Sequence, residues 1–331
     1  MSELALAAFA AETGEHVVEA PRTRRFERFR RTFDGEQYLA ALTARGLRFL
    51  GRSDPGYPPL LRELHDPPAG LFLRGQGDPG LLERPAVAIV GPRACSSYGA
   101  QVARTVGREA AAAGLVVVSG LARGVDGEAH RGALEAGGAT IAVLGCGVDR
   151  DYPAAHAQLA GRICERALVV SEYAPGVEPA PWRFPARNRI VAGLALATVI
   201  VEARERSGAL ITADFALEAG REVFAVPGEI TSSLSAGTNA LLRLGATPLT
   251  STGDVLEALG VAPAAPETPS VSPDAGSVLA VLDDAPAGAD ELARATKLEA
   301  AAVATALAEL ELAGLVAEAD GLYRAARLLG R

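Results

Sequence analysis

Residues 86–126, AVAIVGPRACSSYGAQVARTVGREAAAAGLVVVSGLARGVD, decide the fold. A short apolar segment, AVAIV, leads into a loop that contains Gly91 and Gly99. An alanine-rich stretch with apolar residues at helical spacing follows, and a second apolar segment, LVVVS, comes after it. This succession predicts a β-strand, an α-helix and a second β-strand parallel to the first.

The same alternation of apolar segments and helical stretches continues to residue 226. The further strand candidates are TIAVL (140–144), ALVVS (167–171), ATVIV (197–201) and EVFAV (222–226). Repeated units of this kind predict an α/β fold with an extended Rossmann-like, doubly wound, mainly parallel sheet over residues 55–260. Ligands of such sheets bind beyond the carboxyl ends of the strands, near the point where the strand order reverses.

Three shorter segments flank the predicted sheet. Residues 1–54 predict a short helical domain. Residues 261–276 are rich in proline, serine and alanine, which is typical of an interdomain linker. Residues 277–331 contain three short helical patterns and then two strand-like pieces, GLVAEAD and GLYRAA, so they predict a C-terminal winged helix.

A basic run stands in one flanking domain and an acidic helix in the other. The run PRTRRFERFRR is either a solvated helix face or an arm for nucleic acid or a partner protein, and its cations are Arg22, Arg24, Arg25, Arg28, Arg30 and Arg31. The candidate recognition helix of the winged helix, residues 299–312, carries Glu299, Glu309 and Glu311 and no basic residue. A DNA groove requires cations, so this helix is predicted to contact protein.

Composition excludes several classes of protein. The N-terminus lacks the basic start of a signal peptide, and the apolar run at 190–201 is shorter than the roughly 20 residues that span a bilayer. A cytoplasmic protein with no membrane role is therefore expected. Three widely spaced cysteines, Cys95, Cys146 and Cys164, suit neither a disulfide framework nor a zinc site.

The charge balance limits any interaction with nucleic acid. The 331-residue chain has a formal net charge of -8, whereas nonspecific phosphate binding normally comes from an excess of cations. If DNA is the ligand, the cations must be concentrated locally. Lys297 is the only lysine, so the remaining basic side chains are arginines, which suit planar contacts to phosphate and base stacking.

The loop GPRACSSYG, residues 91–99, allows two interpretations. Gly91 permits close approach to the backbone, while Arg93, Ser96 and Ser97 offer donors near a helix N-terminus, so the loop could cradle a phosphate. The alternative is a tight turn in which a serine caps the helix. The dinucleotide fingerprint G-x-G-x-x-G and the Walker A motif are both absent, and we predict no cofactor and no metal.

The loop SGLARGVDGEAH, residues 119–130, repeats the pattern at the next strand end with Ser119, Gly120, Arg123 and Gly124. Asp126 and His130 lie one helical turn apart and could form an acid/base pair. We favour a structural role, in which Asp126 anchors the loop and His130 is a buried imidazole. No second carboxylate or cysteine stands at ligand spacing, so the chain is not expected to be an enzyme.

The connection PWRFPARNRI, residues 181–190, combines aromatic rings with guanidinium groups. This combination is typical of single-strand binding, where bases stack and phosphates pair with charge. The alternative is a lid with Trp182 and Phe184 in the core. The loop ERSGALITA adds donors at another strand end, so the candidate binding residues of these two segments are Arg183, Phe184, Arg187, Asn188, Arg189, Ser207 and Gly208.

Taken in order, these segments resemble the DNA-processing protein A (DprA/Smf) family. That family shares the succession AIVGxR, SGLAxGID, AVLGxGxDxxYP, FPxRNRxIxGL and VVEAxxxSGxL. Here the segments read AIVGPR, SGLARGVD, AVLGCGVDRDYP, FPARNRIVAGL and VIVEARERSGAL, and AVPGEI and SAGTNALLRLGA follow. The match runs from about Tyr57 to Leu249.

The resemblance implies a non-enzymatic homodimer that binds and protects single-stranded DNA. It further implies loading of a RecA-type recombinase in natural transformation and recombination, a sterile-alpha-motif-like N-terminal domain and a C-terminal winged helix. A base is expected to stack on Phe184, while Arg93 and Arg187 meet phosphates. By motif match the pocket holds Gly91, Arg93, Ser119, Gly120, Phe184, Arg187, Asn188 and Ser207.

This chain departs from the family pattern at the groove. Relatives often place lysines there, and Arg123, Arg183 and Arg189 are the candidates to replace them. Two other functions stay open. One is a nucleotide-processing enzyme related to the phosphoribohydrolases, although their PGGxGT motif is absent and the loop at Pro227 reads PGE. The other is a scaffold whose pocket is vestigial and whose flanking domains alone bind partners.

Overall fold

The computed structural model describes residues 2–13, 23–263, 271–313, 315–319 and 321–325. Arg22 of the basic run, residues 264–270 of the predicted linker, and residues 314, 320 and 326–331 of the predicted winged helix lie outside the described residues. The described chain forms two compact units, Met1–Pro263 and Ala264–Arg331.

The first unit contains a nine-stranded sheet. Its strands are β1 (Leu47–Gly51), β2 (Gly70–Arg74), β3 (Ala86–Val90), β4 (Val116–Ser119), β5 (Thr140–Val143), β6 (Leu168–Ser171), β7 (Ala197–Ile200), β8 (Glu222–Ala225) and β9 (Thr247–Pro248). Their spatial order is β1-β2-β6-β5-β4-β3-β7-β8-β9. β1, β2 and β6 pair antiparallel, and every other pairing is parallel. The predicted doubly wound, mainly parallel fold is confirmed.

Helices of the first unit precede the sheet, connect its strands or follow the last of them. They are α1 (Ser2–Thr13), α2 (Arg24–Thr32), α3 (Gly35–Ala44), α4 (Pro59–Arg62), α5 (Ser97–Ala112), α6 (Val125–Glu135), α7 (Ala157–Arg166), α8 (Arg183–Gly193), α9 (Gly208–Glu218), α10 (Ala236–Arg243) and α11 (Thr252–Ala258). Short 3₁₀ turns occupy Pro79–Leu82 and Ala154–His156.

The core lies on both faces of the sheet, because successive side chains of a strand point to opposite sides. In β3, Ala88 and Val90 belong to one apolar cluster, and Val87 and Ile89 belong to the other. All four are buried, as expected for a central parallel strand. Full burial of each Val or Ile side chain stabilises the fold by about 1.5–3 kcal/mol.

The N-terminal segment differs from the helical domain predicted for residues 1–54. Helices α1, α2 and α3 are present, but the same range also contains β1, which pairs with β2 along the edge of the main sheet. Phe49 of β1 packs against Phe72 of β2, with ring centroids 4.9 Å apart. The arginines of α2 at positions 24, 25, 28, 30 and 31 are exposed, while Phe26 is buried. This arrangement matches the solvated helix face.

In its described residues, the second unit contains three helices and a hairpin. The elements are α12 (Pro273–Asp284), α13 (Ala289–Thr296), α14 (Ala300–Leu312), β10 (Val316–Ala319) and β11 (Leu322–Ala325). Its core includes Val278, Leu292, Val303 and Leu310. Helix α12 includes the last four residues of the predicted linker, because Ser272 caps it by accepting the N–H of Ala275.

Each helix in the described part of the chain is too short or too polar to cross a bilayer.

Candidate nucleic-acid interface

The loops after β3, β4 and β5 meet the N-terminus of α8 at the carboxyl edge of the sheet. The strand order reverses at β3, since β4 lies on one side of it and β7 on the other. This is the place where doubly wound folds bind ligands. The loops enclose a small cleft of about 60 Å³, lined by Arg93, Gly120, Ala122, Arg123, Leu144, Gly145, Cys146, Tyr152, Pro153, Phe184 and Arg187.

The charge of this cleft is opposite to that of the whole chain. The described residues that line it include Arg93, Arg123 and Arg187 and no carboxylate. Arg93 and Arg123 are exposed. A protein with a net charge of -8 therefore concentrates cations at one point of its surface, as binding of a polyanion requires.

Phe184 lies at the centre of an aromatic and cationic cluster. The Arg93 guanidinium carbon lies 5.0 Å from the centroid of the Phe184 ring, within the range of cation–π attraction. The Tyr152 ring stacks on Phe184 with a centroid distance of 5.3 Å and an interplanar angle of 24°. Sequence reasoning missed Tyr152, although the YP of AVLGCGVDRDYP was its signal.

Arg187 forms the floor of the cleft. Its Nη1 donates to the carbonyl oxygen of Gly120 at 2.8 Å and to that of Val143, and its Nε donates to the side-chain oxygen of Asn188 at 3.2 Å. A Cβ at position 120 would lie 2.6 Å from the Arg187 guanidinium carbon, so glycine is needed there. Burial lowers the pKa of Arg187, while attraction to Asp126 opposes that shift.

Asp126 is a buried carboxylate whose charge attracts that of Arg187. The Asp126 carboxylate accepts the backbone N–H of Ala122 at 3.2 Å, and the side chain is almost entirely buried. Burial raises its pKa, and the Arg187 charge acts in the opposite direction. Asp126 anchors the loop as the structural interpretation predicts.

Gly124, at the start of α6, adopts a φ of 74°, and a Cβ there would clash with the backbone of Pro92 and Arg93.

His130 is a buried imidazole rather than the partner of an acid. Its Nδ1 lies 2.7 Å from the hydroxyl of Thr140, and its side chain is fully buried. Burial lowers its pKa to about 3, and the charges of His156, Arg187 and Arg131 contribute. The folded state therefore holds His130 neutral at pH values where the unfolded chain, with a pKa of about 6.5, is protonated.

This difference predicts acid sensitivity. Between pH 6.5 and pH 3 the unfolded chain binds a proton that the folded state does not, so stability falls as the pH falls. From pH 7 to pH 5 this residue alone is expected to remove roughly 2 kcal/mol. Denaturant titration of wild type and His130→Gln at both pH values measures this loss of unfolding free energy. Equal losses in the two proteins would contradict the assignment.

The serine of the first loop serves as a cap. The Ser96 hydroxyl accepts the N–H of Gly99 at 3.0 Å and so caps α5, and it also donates to the carboxylate of Glu202. The Ser96 N–H donates to the same carboxylate at 3.0 Å. A side chain of the protein thus occupies the anion position at this helix N-terminus. Sequence reasoning missed Glu202, which carries the charge in VIVEARERSG.

Several predicted binding residues are engaged elsewhere in the fold. Ser119 is buried and its hydroxyl donates to the carbonyl oxygen of Ile89 at 2.6 Å. Arg189 pairs with Asp66 at 3.2 Å and with Glu172 at 2.7 Å. These contacts engage the two side chains inside the fold, so Ser119 and Arg189, like the capping residue Ser96, are not part of the proposed interface.

The remaining predicted residues do not line the cleft itself. Gly91 adjoins Val125, whose Cγ2 would be 2.5 Å from a Cβ at position 91. Ser97 is exposed at the first position of α5. The Asn188 amide donates to the carbonyl oxygen of Gly208 at 3.1 Å. Ser207 and Gly208 line a separate groove between α9 and α10.

Among the described residues, no group of three or more metal-binding side chains is placed to hold an ion.

Comparison with known proteins places this geometry in a family. The sequence profile of DNA recombination-mediator protein A matches residues 48–260, and that of the DprA winged helix domain matches residues 261–321. The chain belongs to the DprA/Smf family. The predicted resemblance and the predicted winged helix are thereby confirmed.

Individual DprA/Smf relatives agree with this assignment. The chain is 41% identical to protein Smf of Escherichia coli over 279 residues, which are 81% of this chain and 74% of that protein. It is 49% identical to the DNA processing protein DprA of Streptococcus pneumoniae over 205 residues, covering 61% and 71% of the two chains.

Two solved structures of DNA processing protein A are similar to this fold. The protein from Streptococcus pneumoniae has a TM-score of 0.66 at 39% identity and covers 77% of this chain and 92% of its own. The protein from Helicobacter pylori has a TM-score of 0.58 at 33% identity and covers 64% and 95%, and its structure is described as showing a unique single-stranded DNA binding mode.

Proposed function

We propose that this DprA/Smf protein binds single-stranded DNA at the cleft lined by Arg93, Phe184 and Arg187. The observation that carries the proposal is the convergence of these three side chains in a cationic cleft whose described lining has no carboxylate. Membership of the family and the single-stranded DNA binding mode described for the Helicobacter pylori relative support it.

The roles of the three side chains follow from their contacts. Arg93 is exposed and free to meet a phosphate. Nη2 of Arg187 has no acceptor among the described residues, because Nη1 and Nε make the contacts to Gly120, Val143 and Asn188. We assign this Nη2 to a second phosphate oxygen. Phe184 offers its ring to a base, and Tyr152 is the neighbouring ring that the base meets.

The test compares Arg93→Ala with wild type. Loss of one phosphate contact is expected to weaken binding to a labelled single-stranded oligonucleotide and to reduce the salt slope of log K by about 0.7. Anisotropy titrations at several salt concentrations measure both quantities. Arg108→Ala is the matched control, because Arg108 is an exposed arginine of α5, the helix that follows the loop of Arg93. An unchanged slope in Arg93→Ala would remove this residue from the interface.

The discrimination between DNA forms tests the proposal as a whole. Single-stranded oligonucleotides are expected to bind more tightly than duplexes of the same length, since the stacking surfaces require unpaired bases. We also propose that the protein binds without turnover. Incubation with nucleoside monophosphates should leave them intact, and release of free base at an enzymatic rate would favour the phosphoribohydrolase alternative.

We further propose the wider role implied by the family: protection of single-stranded DNA and loading of a RecA-type recombinase by a homodimer, in transformation and recombination. Exposed apolar side chains support a protein interface. Ile211 and Leu244 are 37% and 85% exposed and line a groove of about 480 Å³ between α9 and α10. The molar mass in solution tests the homodimer, and strand exchange by a recombinase on DNA coated with a single-strand-binding protein tests loading.

A further inference from the structure

Trp182 is a large aromatic side chain that the cleft does not use. It is the only tryptophan of the chain and stands directly before the first residue of α8. It is 53% exposed, although tryptophan side chains are highly buried on average. An indole that remains at the surface beside a proposed DNA site requires an explanation.

The indole is held in place by its neighbours. The Arg183 guanidinium carbon lies 4.9 Å from the Trp182 ring centroid and 5.1 Å from the Tyr173 ring centroid. Tyr173 and Trp182 meet edge to face, with centroids 6.4 Å apart and an interplanar angle of 85°. Arg183 is itself fixed, because its Nη1 donates to the carbonyl oxygen of Glu178. The exposed ring is therefore ordered before any ligand arrives.

The Trp182 ring and the cleft lie along one segment of chain. Trp182 precedes Phe184 by two residues, so their Cα atoms are at most about 7 Å apart. A Cβ at Gly145 would lie 3.0 Å from the Phe184 ring and 3.2 Å from the Arg183 carbonyl oxygen, so the backbone between the two rings borders the same loop. A single strand of DNA that runs from Phe184 along this backbone meets Trp182 next.

The chemistry of the surface favours a nucleic acid over an apolar protein segment. The Arg183 guanidinium covers part of the Trp182 ring, and the lining of the adjoining cleft includes arginines. Aromatic rings beside guanidinium groups suit alternating bases and phosphates. An ordered ring also lowers the entropy lost on binding.

We propose that Trp182 is a second stacking platform, which takes an unpaired nucleobase of the strand where it leaves the cleft. Arg183 is its positioning residue. This inference rests on the proposed function, because it extends the path of the same strand. It adds a ligand subsite that the binding residues Arg93, Phe184 and Arg187 do not supply.

The sole tryptophan provides a direct readout. Titration of the full-length protein with oligothymidylate is expected to quench the Trp182 fluorescence in parallel with the anisotropy of a labelled strand. Trp182→Ala is expected to weaken binding about 5- to 20-fold, at the lower part of the range for a base-stacking contact, because the platform is partly exposed. Trp182→Phe should restore most of the affinity.

Controls separate stacking from a structural role. Tyr98→Ala is the matched control, since Tyr98 is 52% exposed and its hydroxyl contacts the carbonyl oxygen of Pro227 after β8. It should leave the affinity unchanged. An abasic strand of equal length should bind wild type and Trp182→Ala alike, because without bases there is nothing to stack. Thermal unfolding of each variant confirms that it is folded.

The outcomes are distinct. If wild type shows no anisotropy change with any single strand, the proposed function fails. If wild type binds, but the fluorescence is constant and Trp182→Ala retains full affinity, only the platform is overturned. Equal weakening of normal and abasic strands by Trp182→Ala, or equal weakening by Tyr98→Ala, overturns it as well.

Discussion

Arg187→Ala is expected to lower the free energy of unfolding by about 3–5 kcal/mol, because two buried carbonyl oxygens lose a charged donor, at roughly 1.5–3 kcal/mol each. The guanidinium donates to the carbonyl oxygens of Gly120 and Val143, and its charge attracts the buried Asp126. Truncation leaves both carbonyls and the carboxylate without this cation. The side chains proposed to bind DNA thus include one that the fold also requires.

Denaturant titration at pH 7 measures this loss. Arg187→Lys retains the charge but cannot reproduce the planar set of donors, so it should fall between wild type and Arg187→Ala. Arg108→Ala, at an exposed position, should change the stability by less than about 0.5 kcal/mol. If Arg187→Ala unfolds at the same denaturant concentration as wild type, the buried contacts of Arg187 are not those described above.

The dual position of Arg187 shows where sequence reasoning succeeds and where it stops. The pattern of strands and motifs predicts which loops meet, because parallel strands end at one edge of a sheet. It does not predict which side chain of a loop turns inward. Arg187 and Arg189 both stand in FPARNR, yet Arg187 lines the cleft and Arg189 pairs with Glu172. That difference arises from long-range packing.

Glu202 is a second case in which a long-range contact could not be predicted from the local sequence. The donors of the loop at residues 91–99 suggest a phosphate cradle when that loop is considered alone. The carboxylate that occupies this position comes from a residue 106 positions away from Ser96. The sequence of the loop predicts a serine cap, but it does not predict the Glu202 carboxylate that binds Ser96. Conversely, β1 was missed because a five-residue edge strand gives only a short periodic signal.

Phe184→Ala is expected to weaken the binding of single-stranded DNA by about 2–3 kcal/mol, roughly 30- to 150-fold, the upper part of the range for loss of a base-stacking contact. Two effects contribute to this loss of affinity. The ring is the proposed stacking surface of the cleft, and it also contacts the Arg93 guanidinium, whose carbon lies 5.0 Å from the ring centroid. Its loss therefore removes a base contact and frees the cation that meets the phosphate.

A double-mutant cycle separates these effects. If the ring positions Arg93, the changes in binding free energy for Arg93→Ala and Phe184→Ala will sum to more than the change in the double variant. Phe184→Leu keeps an apolar side chain but lacks the π face, so it should bind nearly as weakly as Phe184→Ala, whereas Phe184→Tyr should bind nearly as tightly as wild type. Full affinity in Phe184→Leu would mean that the residue fills the cleft without stacking, and the base would have to be assigned to Tyr152.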